Sequence, residues 1–312
     1  MITNMKLSFV IPVYNEEENI PELYKRLKQA LANDFRDFEY EIIFIDDGSQ
    51  DCSIEVLEGL HNQDSNVKAI EFSRNFGHHI AITAGLDSAE GDFVVMMDGD
   101  LQDQPEEILK LYNKLREGYD VVYAERANNK SGLINRASSL LFNWLIRKLI
   151  DEPIVINGTI FRIMTRQAVE SVKLLRERNR YIVGIIGWVG FRHASQKVEH
   201  DKRLAGKTKY NLSKRLSLAL SAIFSFSSYP LRLIVKTGLF FVFMSFLVGA
   251  FIVYKKLFYG VPVLGWSSLI SAVLIMGGIQ IIILGVIGEY VGRNYIETKN
   301  RPLYIVKKYL HK

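Results

Sequence analysis

The sequence predicts an α/β domain with a doubly wound, mostly parallel β-sheet, followed by a C-terminal hairpin of two transmembrane helices. Short apolar runs alternate with helical stretches, polar turns follow these runs, and two long uncharged segments lie towards the C-terminus. Alternating strands and helices are typical of stacked βαβ units, which form parallel sheets.

Apolar runs rich in Val, Ile and Phe predict strands at residues 7–13, 40–45, 67–72, 93–97 and 120–124. The stretches between them predict helices at residues 21–31, 53–61, 79–88 and 105–117. Asn19 and Pro21 support the start of the first helix, because both residue types are frequent at helix N-termini.

Polar turns follow the first four predicted strands. They are Tyr14-Asn15-Glu16, Asp46-Asp47-Gly48-Ser49, Ser73-Arg74-Asn75 and Asp98-Gly99-Asp100. In sheets of this type, ligands bind beyond the carboxyl ends of the strands. The sequence therefore predicts a binding site where these four turns meet.

Charge is distributed unevenly along the 312 residues. Residues 1–125 contain 26 Asp or Glu and 10 Lys or Arg, whereas the remainder contains 8 and 29. A basic half suits nucleic acid, an anionic membrane or a phosphorylated ligand. Because the basic residues flank apolar runs, and neither zinc-ligand spacing nor an RNA-binding strand motif is present, we expect membrane and phosphate contacts and no nucleic acid.

Two segments are long enough to cross a hydrocarbon core of about 30 Å. Residues 237–254 and 261–288 carry no charge and are joined by a short basic linker. The excess of Lys and Arg outside them predicts that both termini are cytoplasmic, although Lys255 and Lys256 in the linker favour the opposite orientation. A buried hairpin of a soluble protein is the alternative.

The N-terminal region and the cysteine content bear on compartment. The apolar run at residues 7–14 is too short for a signal sequence, so we expect the N-terminal part in the cytosol. Cys52 is the only cysteine, which excludes a disulfide framework within the chain.

The predicted division is a cytosolic domain at residues 1–210, an amphipathic juxtamembrane segment at 211–232, two transmembrane helices at 233–290 and a basic cytosolic tail at 291–312. Residues 133–150 form an amphipathic pattern that fits either a helix packed on the sheet or one lying on lipid. Residues 213–228 predict a further helix.

Asp98 and Asp100 predict a metal site. Alternate residues of an extended chain point the same way, and Gly99 between them lets a ligand approach closely. Two carboxylates together with nucleotide phosphates suit Mg²⁺ or Mn²⁺, since such ions seldom have cages made only of protein.

Four motifs together resemble the family 2 glycosyltransferases of the GT-A fold, above all the dolichol-phosphate mannose synthases and bactoprenol glucosyltransferases. They are Val10-Ile11-Pro12-Val13-Tyr14-Asn15-Glu16-Glu17, Ile45-Asp46-Asp47-Gly48-Ser49, Arg74-Asn75-Phe76-Gly77 with Ala84-Gly85-Leu86, and Met97-Asp98-Gly99-Asp100-Leu101-Gln102. The resemblance extends over nearly the whole chain, including Ser225-Phe226-Ser227 before Pro230 and the two-span hairpin.

The resemblance implies a role for each matching position. The implied ligands are Pro12, Tyr14 and Glu16 for the nucleotide, Asp46 and Asp47 for its base and ribose, Gly99 for the nucleotide-sugar, and Asp98, Asp100 and Gln102 for metal and diphosphate. Arg126 is either a phosphate ligand or a solvated charge.

A basic loop at residues 202–210 contains Arg203 and Lys209 at the family's six-residue spacing. The resemblance implies that both bind phosphate. Attraction to an anionic membrane surface, worth about 1 kcal/mol per basic residue, is the alternative.

The sequence departs from the family at Ile160, where relatives often carry an acidic residue in a Gly-Asp-Phe-Arg stretch. A lipid phosphate has a second pKa of about 6 and is already ionised at neutral pH, so a base is dispensable. His78 and His79 fit either phosphate contacts or an ordinary helix start, and Glu289 is expected at the membrane interface.

The resemblance implies inverting transfer of a sugar from a nucleotide-sugar to polyprenyl phosphate. UDP-glucose is the expected donor, with GDP-mannose and modified UDP-pentoses as alternatives. Rival functions are a processive polysaccharide synthase, which two spans and the lack of a Gln-x-x-Arg-Trp stretch disfavour, and a non-catalytic nucleotide-sugar-binding scaffold. Gly277, Gly278 and Gly285 would permit helix packing in a homo-oligomer.

Overall fold

The computed structural model describes residues 5–126, 159–199, 229–259 and 265–311. The strands are β1 Lys6–Val13, β2 Glu39–Asp46, β3 Val67–Phe72, β4 Phe93–Met96, β5 Val121–Arg126, β6 Arg162–Thr165, β7 His193–Val198 and β8 Val306–Leu310. They form one sheet in the order β7-β5-β6-β4-β1-β2-β3-β8.

The sheet is mostly parallel, as predicted. β1 pairs in parallel with β2 and β4, β2 with β3, and β5 with β7. β6 lies antiparallel between β4 and β5, so β1 to β5 all run in one direction. β8 lies antiparallel to β3 at the opposite edge.

Helices cover both faces of the sheet, which confirms the doubly wound arrangement. They are α1 Ile20–Asp34, α2 Ser53–Gln63, α3 His78–Ser88, α4 Ile108–Leu115, α5 Arg166–Leu174 and α6 Ile182–Trp188, with a 3-10 turn at Pro105–Glu107 before α4. One core contains α1, α2 and α4, and the other contains α3, α5 and α6. Because both faces are covered, all residues of β1 from Leu7 to Val13 are buried.

Two long helices, α7 Tyr229–Tyr259 and α8 Trp266–Thr298, follow this domain. Leu231–Ile252 and Ile275–Thr298 are long and apolar enough to cross a membrane, and none of either segment is buried within the chain. Phe246 is 73% exposed and Ile281 is 71% exposed, so the described part of the chain does not bury these helices, as the soluble alternative would require.

The glycines of α8 do not explain how α7 and α8 pack. A Cβ atom added at Gly277, Gly278 or Gly285 would meet nothing within 4 Å. Packing of these glycines in a homo-oligomer stays a prediction.

Three strands, β6, β7 and β8, were not predicted from the sequence. Residues 306–310, assigned to a basic tail, extend the sheet as β8. The amphipathic pattern at residues 133–150 and the predicted helix at 213–228 lie outside the described residues.

Candidate active site

The acidic turn after β4 is held by hydrogen bonds within the turn. The Asp98 N–H donates to Asp103 Oδ2 at 3.2 Å. The Gln102 N–H donates to Asp100 Oδ1 at 3.2 Å, and Gln102 Nε2 donates to Asp100 Oδ2 at 2.8 Å. Leu101 adopts a φ of 62°, which closes this turn. These hydrogen bonds fix the backbone of Asp98 and the carboxylate of Asp100 just beyond the end of β4.

Gly99 brings the acidic turn against the end of β1. A Cβ atom at this position would lie 2.9 Å from Val13 Cγ1 and 3.2 Å from the Pro12 carbonyl oxygen, too close for any side chain. The absence of a side chain therefore places Pro12 beside the two carboxylates.

The turns after β1 and β2 are tied to each other. The Asn15 N–H donates to Ser49 Oγ at 2.9 Å, and the Gln50 N–H donates to Asn15 Oδ1 at 2.8 Å. The Tyr14 side chain is exposed, and Glu16 accepts a hydrogen bond from Asn19 Nδ2. An accessible ring and a carboxylate therefore lie on a fixed wall of the site.

Asp46 and Asp47 are buried and organise the neighbouring turns. Asp46 accepts hydrogen bonds from the backbone N–H and hydroxyl of Ser49. Asp47 accepts from Phe76 N–H at 2.7 Å and from Gly77 N–H at 3.0 Å. Burial raises the pKa of both carboxyls, although these hydrogen bonds oppose the rise. In this structure they hold the pocket wall, and direct contact with base or ribose stays a prediction.

The N-terminus of α3 reaches the acidic turn. His78 Nε2 lies 3.3 Å from Asp98 Oδ1. The ring of His79 lies edge-on to that of Tyr181, with centroids 5.8 Å apart. Burial, with smaller contributions from His78 and the Arg162 and Arg180 guanidiniums, lowers the pKa of His79 to about 4, so its imidazole is neutral at pH 7.

Arg162, the first residue of β6, is a buried cation beside β4 that the sequence analysis did not single out. Its guanidinium donates to the carbonyl oxygens of Thr159 and Ile160. Burial lowers its pKa to about 10, so it remains charged at neutral pH. Within the described parts of the chain it forms no ion pair with a carboxylate. An arginine inside the apolar Phe161-Arg162-Ile163-Met164 run was the available signal.

The donor atoms suit a metal that also binds phosphate. Among the residues that the structure describes, no group of three or more His, Cys, Asp or Glu side chains forms a ready-made metal site. Asp98 and Asp100 supply hard oxygen ligands, and Mg²⁺ or Mn²⁺ commonly takes one or two carboxylates together with substrate phosphates. The pair therefore fits such an ion.

The structure brings most of the predicted site residues to one edge of the sheet. These are Pro12, Tyr14, Glu16, Asp46, Asp47, Asp98, Gly99, Asp100 and Gln102. Arg126 ends β5 at the same edge, paired with Val198 of β7. Arg203 and Lys209 lie outside the described residues, as do Asn157 and Gly158.

Comparison with known proteins assigns both parts of the chain. Residues 8–177 match Glycosyl transferase family 2, and residues 229–293 match the GtrB C-terminal hairpin. An uncharacterized glycosyltransferase, YkcC, from Bacillus subtilis is 45% identical over 99% of this chain and 95% of its own length. The SfII prophage-derived bactoprenol glucosyl transferase of Shigella flexneri is 43% identical, covering 97% of this chain and 98% of that protein.

Two further proteins extend the comparison. The prophage bactoprenol glucosyl transferase homolog of Escherichia coli is 41% identical over 97% of this chain and 99% of its own. The mannosyltransferase PcManGT from Pyrobaculum calidifontis, solved with GDP-Man and Mn²⁺, superposes with a TM-score of 0.51 at 16% identity. This superposition covers 72% of the present chain and 64% of the mannosyltransferase, and it shows a shared fold.

Proposed function

Since the chain belongs to glycosyl transferase family 2, we propose that it transfers glucose from UDP-glucose to a polyprenyl phosphate with inversion at the anomeric carbon. The products are a β-linked polyprenyl-phosphate glucose and UDP. The observation that carries the proposal is the pairing, in one chain, of the Asp98–Asp100 turn with two helices able to cross a membrane. The first suits a nucleotide diphosphate and the second brings the site to a lipid acceptor.

Glucose and the lipid are supported by the relatives. Proteins named bactoprenol glucosyl transferases align with this chain from the catalytic domain through the hairpin at 41–43% identity. Such coverage supports a common acceptor class, because the hairpin is retained together with the catalytic domain.

The donor lies beyond the ends of β1, β2 and β4. Tyr14 and Glu16 on the exposed wall contact the nucleotide, and the Asp46 and Asp47 turns shape the pocket for its base and ribose. Asp98 and Asp100 would hold Mg²⁺ or Mn²⁺ together with the diphosphate, while Gln102 orients Asp100. When bound, the ion supplies positive charge that stabilises the departing diphosphate.

The acceptor phosphate meets the donor on the side of β5 and β6. Arg126 ends β5 there, and the loop containing Arg203 and Lys209 supplies further cations for the two phosphate groups. The buried charge of Arg162 makes the electrostatic potential on this side more favourable for anions, because charges interact strongly where water is excluded.

The reaction is a single displacement. An oxygen of the acceptor phosphate attacks the anomeric carbon, the bond from that carbon to the donor's β-phosphate oxygen breaks, and the electron pair leaves with UDP. Because the acceptor is ionised at neutral pH, no side chain has to remove a proton. Ile160 at the family's acidic position is consistent with catalysis by alignment and charge stabilisation.

The active site faces the cytoplasm in this proposal. β8 follows α8 and joins the sheet that contains β1, so the hairpin returns the chain to the side from which it entered. Lys and Arg residues outside the two spans favour the cytoplasm for that side.

The test is product identification. Membranes containing the protein are incubated with polyprenyl phosphate and a panel of UDP- and GDP-sugars, and lipid products are identified by mass and by the anomeric proton coupling in NMR. We expect a β-linked hexose from UDP-glucose. A lipid product formed only from GDP-mannose would overturn the donor assignment, an α-linked product would overturn the mechanism, and nucleotide-sugar binding without any lipid product would favour a scaffold.

A further inference from the structure

The chain that leaves α8 wraps back onto the catalytic domain. Residues 303–310, here termed the C-terminal clasp, include β8 and follow the last membrane-apposed helix. The Ser73 N–H donates to the Ile305 carbonyl oxygen at 3.0 Å, just where β3 ends. Lys307 pairs with Glu71 at 2.5 Å, and Lys308 pairs with Glu58 at 2.5 Å. The clasp therefore extends the sheet and fixes the end of β3.

Tyr304 is the main side-chain contact of the clasp. Its ring stacks on Phe72 with centroids 5.2 Å apart and an interplanar angle of 18°. Its hydroxyl donates to Asp87 Oδ2 at 2.9 Å, and the Arg176 guanidinium donates to the same carboxylate. One half-buried side chain thus joins the clasp to β3, α3 and the segment after α5.

Phe72 connects this contact to the nucleotide pocket. The Phe72 ring also contacts the Phe76 ring, which lies edge-on to it with the ring centroids 5.6 Å apart. The backbone N–H of Phe76 donates to Asp47 at 2.7 Å. Gly48, beside Asp47, packs so tightly on the Arg74 backbone that a Cβ atom there would lie 2.5 Å from the Arg74 carbonyl carbon. Tyr304, Phe72, Phe76 and Asp47 form a continuous line of contacts.

The clasp also changes the charge near the pocket. Glu71 lies opposite Asp46 in the β2–β3 pair, and its negative charge contributes to the raised pKa of Asp46. Lys307 of the clasp pairs with Glu71 and thereby reduces the negative charge beside the position proposed for the donor.

We propose that the C-terminal clasp is part of the donor site, with Tyr304 as a positioning residue for the turn at residues 73–77. The proposal rests on the proposed function, since it assumes that the nucleotide occupies the Asp46–Asp47 wall. It deepens that function by making donor affinity depend on the segment that emerges from the second membrane helix.

The test is direct binding of UDP-glucose with Mg²⁺ to the full-length purified protein, measured by calorimetry, together with steady-state kinetics. For Tyr304→Ala we expect donor affinity to fall about tenfold, as the loss of one stacked aromatic contact allows. The KM for UDP-glucose should rise in parallel. The kcat at saturating donor and the KM for polyprenyl phosphate should stay within about twofold, because β5 and β6 lie towards the opposite edge of the sheet from β8.

Matched variants separate the ring from other effects. Tyr304→Phe keeps the stack and loses the hydrogen bond to Asp87, so its donor affinity should be near wild type. Leu174→Ala removes an exposed apolar side chain at the end of α5, outside the clasp and the proposed donor site, and should also bind normally. If Tyr304→Ala does not fold, Tyr304→Leu, which retains apolar bulk, should show a smaller loss of donor affinity.

The outcomes are distinguishable. If the wild-type protein binds no nucleotide-sugar, both the proposed function and the clasp proposal are wrong. Wild-type binding with unchanged donor affinity in Tyr304→Ala and Tyr304→Leu would overturn the clasp proposal alone. A fall in kcat and in both affinities that tracks a lower melting temperature would show that Tyr304 only stabilises the fold.

Discussion

Asp46 is almost fully buried at the end of β2, and Glu71 lies directly across from it in β3. Burial raises the pKa of its carboxyl, so the folded protein holds the proton more tightly than the unfolded chain does. Ionisation of Asp46 therefore opposes folding as the pH rises above the ordinary value of 3.8, and this effect is absent at lower pH.

Asp46→Asn should weaken donor binding, because Asp46 belongs to the wall proposed for the base and ribose. It should not lower stability, because it removes a buried negative charge. At pH 7 we expect the free energy of unfolding to be unchanged or to rise by up to about 1 kcal/mol, with the gain disappearing near pH 3.5. Thermal unfolding in detergent at both pH values measures the change in stability, and calorimetric titration with UDP-glucose measures the change in donor affinity. A melting temperature lowered more at pH 7 than at pH 3.5 would contradict the argument.

Asp100 is expected to act through the metal. Asp100→Asn retains the shape of the side chain but removes its negative charge and one of the two hydrogen bonds that Asp100 accepts from Gln102, so transfer should fall by about a hundredfold or more. EDTA should abolish transfer by the wild type, and added Mg²⁺ or Mn²⁺ should restore it. Glu117→Gln, a charge change at an exposed pair with Lys114, is the control. Full activity in EDTA would exclude a metal requirement.

Among the elements, the start of the central strands carries a charged network that is separate from the site. Glu41 of β2 accepts hydrogen bonds from Ser8 Oγ at 2.5 Å, from Lys68 at 2.7 Å and from the Glu90 N–H at 2.7 Å. Lys6 lies 3.1 Å away. Burial by itself would raise the pKa of Glu41, but these hydrogen bonds lower it below 4.5. The network joins β1, β2, β3 and the turn before β4.

Glu41→Ala should destabilise the protein by about 3 kcal/mol at pH 7, because it leaves partly buried cations without their main partner. Because the pKa of the Glu41 carboxyl is lowered, its ionised form stabilises the fold above pH 4.5, and this stabilisation is lost in acid. The difference in the free energy of unfolding between Glu41→Ala and wild type should therefore shrink near pH 3. Donor affinity should persist, since Glu41 lies about 16 Å along the strand from Asp46. Thermal unfolding measures the loss of stability, and titration with UDP-glucose measures donor affinity. Weakened donor binding in fully folded Glu41→Ala protein would show that this network is not separate from the donor site.

A separate prediction concerns the function of the basic loop at residues 202–210. If Arg203 binds phosphate, Arg203→Ala should reduce turnover about tenfold while the protein stays in the membrane fraction. Lys202→Ala in the same loop is the matched variant for a general loss of positive charge. Equal effects of both variants, or loss of membrane association with normal turnover in detergent, would favour membrane-surface attraction.

Local sequence predicted β1 to β5 because each is a run of β-branched and apolar residues followed by a polar turn. It did not predict β6, whose four residues begin with Arg162, or β8, whose Val-Lys-Lys-Tyr-Leu sequence reads as a solvated tail. These strands are stabilised by pairing with strands distant in sequence, which a local pattern does not contain. The acidic motifs located the candidate site because they follow predicted strands, whereas the approach of His78 to Asp98 and the burial of Arg162 depend on tertiary packing.

At the scale of the whole molecule, the acidic N-terminal part and the basic C-terminal part are directly joined. Lys307 and Lys308 pair with Glu71 and Glu58 of the catalytic domain. The Arg178 N–H also donates to Glu297 Oε1, at the end of α8, at 2.7 Å. The C-terminal end of the hairpin is therefore held by the domain through backbone and side-chain contacts.

This arrangement predicts the topology. A reporter fused after His311 should read cytoplasmic, and one inserted near Tyr259, between α7 and α8, should read the opposite side. A reporter after Ser88, within the catalytic domain, should match the one after His311. A C-terminal reporter on the side opposite the Ser88 reporter would be incompatible with β8 in the same sheet as β1.

The antiparallel β3–β8 pair has a consequence for biogenesis. Lys307 and Glu71 are 236 positions apart, and both apolar helices lie between them. During translation, β3 remains without its β8 partner until both apolar helices have been synthesised and β8 has left the ribosome. An open edge of this kind invites pairing with other chains. We therefore expect the sheet of the catalytic domain to be completed only after both apolar helices have been synthesised.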